Sequence, residues 1–121
     1  MRLDKLVKAA VAALEDIKGR DIVVLDVRKM TSMFDKVILA SADSTRQTRA
    51  LSNHLQGKLK ALGARIHGVE GERAAEWILV DLGPVIVHIM LPAMRKHYNL
   101  EELWAPPPRL RRRRASSADA T

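Results

Sequence analysis

The chain has 121 residues, 47% of them apolar, with a formal net charge of +7. That length suits one domain, which buries roughly 65% of its extended surface. Without a cysteine there is no disulfide framework, thiolate metal site or cysteine nucleophile, and no apolar run approaches the ~20 residues of a membrane span.

Residues 3–17 set Leu3, Leu6, Val7, Ala10, Val11, Leu14 and Ile17 at helical spacing, which predicts an amphipathic helix and not a signal peptide. Gly19 is expected to end it. DIVVLDV (21–27) reads as a strand, 28–34 as a connector, and DKVILASA (35–42) as a second, buried strand.

STRQ (44–47) matches a capping box: Ser44 accepts from the amide of Gln47 while Gln47 reaches back. Ala50, Leu51, Leu55, Leu59 and Leu62 then mark a helix that Gly63 can cap. ARIHGVEG (64–71) reads as a third strand. EWILVDL (76–82) and VIVHIM (85–90) read as an antiparallel hairpin across Gly83-Pro84. Pro92 can open a short helix, and NLEELW (99–104) is expected to add a last turn capped by Asn99.

The order α-β-β-α-β-β-β-α predicts an α/β fold, a mixed sheet of about five strands with covering helices. The passage from 35 to 70 should be a right-handed parallel crossover. After PPP (106–108), RLRRRRASSADAT is poor in apolar residues. The chain therefore divides into a domain, 1–104, and a basic tail, 105–121, expected to be disordered. Five of the 21 basic residues lie in that tail against one acid, so the tail carries +4 and the body +3. Arg109, Arg111, Arg112, Arg113 and Arg114 suit a polyanion such as RNA, held without reading its sequence.

Reaction centres are hard to find. His54, His67, His88 and His97 make no i,i+4 pair on a helix, so no metal is expected. No Gly-rich phosphate loop and no G-x-S-x-G elbow occurs. Asp21 and Asp26, five apart, fall on opposite faces if both lie in the strand. No cofactor is expected. The four aromatics are Phe34, Trp77, Tyr98 and Trp104, and two of them sit in RKHYNLEELW (95–104). Arg, Tyr and Trp are the types most enriched at binding hot spots. The two acids beside them argue against a base-stacking platform, so a protein-docking edge fits best.

DIVVLDV, FDKVILASADSTRQTRAL, VEGERAAEWILVDLGPVIVHIM and RKHYNLEELW, in that order over roughly 3–104, closely resemble the ribosomal silencing factor family, also called Iojap-like. The resemblance implies an α/β fold similar to nucleotidyltransferases without that activity. It implies a non-enzymatic, cytoplasmic translational repressor that docks on the large ribosomal subunit, at its ribosomal protein number fourteen, and blocks joining of the small subunit. It also implies homodimers when free and a part in large-subunit assembly among organelle relatives. Carried onto this chain, the partner-binding positions are Glu70, Gly71, Trp77, Asp81, His88, Arg95, Tyr98, Glu101 and Trp104. The 76–90 hairpin and the 95–104 segment are expected to form one patch. Asp81 and Glu101 would pair with basic groups, while Leu100 and Leu103 would serve the fold. The chain departs from the family pattern at Lys36, commonly Tyr or Phe, and at Ala42-Asp43, where a Gly is usual. Two alternatives stay open: a nucleotidyltransferase-like enzyme, and a general RNA-binding protein acting through its tail.

Overall fold

The computed structural model describes residues 1–104. The tail and its arginines lie outside the described residues. Helix α1 spans Leu3–Asp16, β1 Arg20–Asp26, β2 Lys36–Ser41 and α2 Thr45–Ala61. There follow β3 (Gly68–Glu70), β4 (Trp77–Asp81), β5 (Val85–Met90), α3 (Pro92–Tyr98) and α4 (Leu100–Leu103). The architecture is α/β, with one five-stranded sheet in the order β1-β2-β5-β4-β3.

The sheet is mixed. β2 and β5 run parallel, from Lys36 opposite Val85 to Ser41 opposite Met90, and the other pairings are antiparallel. The 35–70 passage does join strands of the same direction. They are not neighbours, because β5 and β4 fill the space between β2 and β3. Thus β5, the last strand made, sits at the centre of the sheet, and all six of its residues are buried.

Each boundary has a local cause. Ser44 Oγ accepts from the Gln47 amide at 3.1 Å, a cap worth about 1 kcal/mol. The Gln47 side chain reaches back one residue further than expected: its Oε1 accepts from the Asp43 amide at 2.7 Å. Its Nε2 donates to the carbonyls of Ile17 and Lys18, at the end of α1. At the other end of α2, Gly63 N–H donates to Lys60 O and Ala64 N–H to Leu59 O, the paired bonds of a Schellman turn.

The end of α1 differs from expectation. Lys18, not Gly19, takes the left-handed conformation, with φ 66°. Gly19 instead allows close approach: a Cβ there would lie 2.8 Å from Leu14 O and 3.3 Å from the Leu51 side chain. The third strand is also shorter than ARIHGVEG. Only Gly68–Glu70 pair, against Asp81 to Leu79. At the C-terminus, Asn99 (φ 45°, ψ 55°) separates α3 from α4, and its side chain accepts no capping bond. Its amide donates to Glu102 Oε2 instead.

Strand alternation divides the core in two. On one face, Ile38, Ala40, Ile78, Val80, Val85, Val87 and Ile89 meet Leu6, Ala10, Leu14, Leu51, Leu55 and Leu59 of α1 and α2. On the other, a smaller cluster of Val27, Val37, Leu39, Met90 and Leu100 takes Phe34, Trp77, Met94 and Trp104 at its margin. Among the described residues, only the short helices α3 and α4 contribute helical cover there. The β3-β4 side of that face stays partly open.

Candidate docking surface

The period of two along β4 turns Trp77, Leu79 and Asp81 away from α1 and α2, and all three are half-buried. On β5 the same rule turns Ile86, His88 and Met90 that way. Leu79 stands opposite His88, and Trp77 opposite Met90. The diagonal pair is tied: Trp77 Nε1–H donates to His88 Nδ1 at 2.9 Å. An accepting Nδ1 requires the neutral ring with its proton on Nε2. Burial pushes the His88 pKa down from 6.5 to about 4, so the ring is neutral at pH 7.

Tyr98, at the end of α3, stacks tilted on Trp77 with centroids 5.0 Å apart. It keeps half its surface exposed. This contact joins the hairpin to the C-terminal segment. Trp104 makes a separate edge-on contact with Phe34 at 5.5 Å. Exposed apolar side chains stand nearby in sequence, with Met33 81% and Leu103 66% exposed.

Arg95 departs from its expected role. Its side chain is only 9% exposed. Its Nε donates to Glu101 Oε1 and its Nη1 to Ser41 Oγ, both at 2.9 Å. The guanidinium holds the Glu101 carboxyl below its ordinary pKa. Arg95 therefore pins α3 and α4 to the end of β2. His88 is likewise buried. Asp81 accepts from the Gly83 amide at 2.8 Å and so shapes the hairpin turn.

Gly71 is also structural. It has φ +88°, and a Cβ would fall 2.1 Å from Trp77 O. This glycine lets the chain fold back so that Glu70, Gly71, Trp77 and Leu79 line a shallow cleft of about 260 Å³. Of the nine positions, Glu70, Trp77 and Tyr98 present surface beside the open sheet face, and Trp104 stands half-buried against Phe34. Arg95, His88 and Gly71 build the scaffold beneath them.

Sequence reasoning missed Met33, Phe34 and Leu79 as surface and assigned Leu103 to the fold. An exposed Leu103 is legible only once α4 is known to be a single turn. Residues 68–104 hold six carboxylates and three Lys or Arg, the reverse of the balance in 1–67. Among the described residues, no group of three or more His, Asp or Glu is placed to hold a metal. No described helix is long and apolar enough to cross a membrane.

The comparisons agree with one another. A sequence profile described as "Ribosomal silencing factor during starvation" matches residues 1–121. A protein of Chromobacterium violaceum named "Ribosomal silencing factor RsfS" is 52% identical over 104 residues, 86% of this chain and 85% of the relative. The mouse protein named "Mitochondrial assembly of ribosomal large subunit protein 1" is 35% identical over 78% of this chain and 42% of its own length. The crystal structure of a Chromobacterium violaceum protein superposes with a TM-score of 0.85 at 50% identity, covering 88% of this chain and 91% of that one. A Bacillus halodurans structure gives a TM-score of 0.76 at 33% identity, covering 84% and 94%. In sequence and in fold, the chain belongs to the ribosomal silencing factor family.

Proposed function

We propose that the chain represses translation by seating its open sheet face on the large ribosomal subunit, at ribosomal protein number fourteen, so that the small subunit cannot join. Family membership supports a ribosome-associated silencing role, and the mouse relative's name points to the large subunit. The observation that carries the docking surface is the Trp77–Tyr98 stack on a half-covered sheet face, with Trp104 and the exposed Leu103 beside it in the chain. Monomeric proteins seldom leave such apolar groups together without a partner. The surrounding carboxylates, Glu70, Glu72, Glu76 and Glu102, suit a basic protein surface. The mechanism is steric and needs no cofactor, and the same face suits a second copy when no subunit is present. The tail, with five arginines, adds a nonspecific hold on ribosomal RNA.

Sedimentation with purified subunits tests this. The chain should comigrate with the large subunit alone and reduce whole-ribosome formation when small subunits are added. Comigration with both subunits, or unimpaired joining, would overturn the reading. Deleting 109–121 should flatten the salt dependence of binding; an unchanged slope would remove the tail from the interface.

A further inference from the structure

The carboxyl ends of β2 and β5 lie side by side, at Ser41 and Met90. From there the chain leaves to opposite faces of the sheet. After β2 it enters α2, whose Leu51, Leu55 and Leu59 pack on the first face. After β5 it enters α3 and α4, whose Met94 and Leu100 pack on the second. In α/β sheets the crevice outside such a divergence of parallel strands is where small ligands bind. Here it holds a cleft of about 330 Å³, within the range of small-molecule sites.

The lining is chemically specific. Arg95, Lys96, Asp21 and Glu101 bring two positive and two negative charges, with Ser41 and Asn99 as neutral polar groups. The Arg95 side chain is more than nine-tenths buried. Two of its five N–H donors are used, on Glu101 and Ser41. The others meet no acceptor among the described residues, whereas buried donors are ordinarily bonded. Asp21 and Lys96 form no ion pair among the described residues. Asp21 reaches the cleft from a bulge in β1, held at φ 49°, a conformation that Asp tolerates better than most residues.

A lining with equal charge of both signs fits neither a bare anion nor a bare cation. We propose that this cleft is a binding site for a small zwitterion of the α-amino acid class. The ligand's carboxylate takes the remaining Arg95 donors and Lys96 Nζ, and its ammonium group donates to Asp21 and Glu101. The inference concerns the free protein and stands apart from ribosome docking.

The test uses the full chain alone. Each common α-amino acid is added in turn, with inorganic phosphate and methylammonium as single-charge probes. The melting temperature and amide chemical shifts are followed. At least one amino acid should raise Tm with the logarithm of its concentration, by about 5 °C at tenfold over its Kd, with saturable shifts centred on Ser41, Lys96 and Asn99. Asp21→Asn and Lys96→Met, at exposed positions, should keep the fold and weaken binding tenfold or more. The site is overturned if no amino acid shifts Tm, or if both variants bind like the parent chain. A response to phosphate equal to that of the best amino acid would mark a plain anion site and overturn the zwitterion assignment.

Discussion

Trp77 and His88 are bonded side chain to side chain across the hairpin, Nε1–H to Nδ1, at 2.9 Å. The bond exists only while His88 is neutral, and burial keeps it so to about pH 4. The folded pKa lies below the unfolded value of 6.5. As pH falls, the unfolded chain therefore takes up this proton first, and stability drains away between about 6.5 and 4. The loss attributable to His88 is about 3 kcal/mol. Urea titrations at pH 7 and pH 4.5 should show this drop shrinking markedly in His88→Asn, which cannot titrate. An undiminished pH dependence in the variant would refute the assignment. Trp77→Phe, which leaves Nδ1 without its donor, should cost about 1–2 kcal/mol at pH 7.

Gly71 combines a left-handed backbone with a carbonyl at its back. Gly71→Ala should therefore destabilise the chain by about 3 kcal/mol or more, and it should disturb Trp77 first. Chemical denaturation followed by Trp fluorescence would read both effects. A variant as stable as the parent would contradict the geometry around Trp77 O.

Tyr98 and Leu103 are half or more exposed, so removing them should cost about 1 kcal/mol, through the Trp77–Tyr98 contact, and leave the fold intact. Tyr98→Ala with Leu103→Ala should weaken large-subunit binding at least tenfold, as loss of interface anchors does. Melting curves checked alongside separate docking from folding. Unchanged binding would move the docking surface elsewhere. Trp104→Ala is a poorer probe, because it also removes the contact with Phe34.

Arg95 and Glu101 differ in exposure, 9% against 39% for their side chains. Removing the acid is therefore the instructive change: Glu101→Gln leaves a buried guanidinium without its counter-charge. A loss of about 2 kcal/mol is expected, with hydrogen exchange rising in α3 and α4. The Glu101 carboxyl titrates below its usual value because Arg95 favours its charged form. Its contribution is thus complete above its unfolded pKa and fades as pH falls through the folded one. A Glu101→Gln variant with parental stability would show that water replaces the acid without cost.

Strand positions were legible in the sequence because β-branched runs such as VVLDV and VIVHIM have few other uses. The order of strands was not. β5 slots between β2 and β4 through side-chain burial on both faces, which no local window contains. ARIH stayed out of β3 because that edge strand meets only the last three residues of β4. The capping box was legible as far as Ser44, while the reach of Gln47 to α1 depended on tertiary contact. At the surface, Trp77 and Tyr98 were legible by residue type. The burial of Arg95 was not legible, because an arginine that locks two short helices and one that stands free look alike in a string of letters.

Gln47 makes one amide group serve the ends of two helices 30 residues apart in the chain. Its oxygen takes an N–H just before α2, and its nitrogen gives to the carbonyls just after α1. The bond on the α2 side closes within residues 43–47, while the carbonyls just after α1 wait for α2 to arrive. The entropy of closing the intervening loop must be spent before the two bonds to α1 are gained. The α1–α2 layer therefore has little reason to form piecemeal. It gains the bonds to Ile17 and Lys18 only when both helices are docked, so the end of α1 should open as α2 undocks.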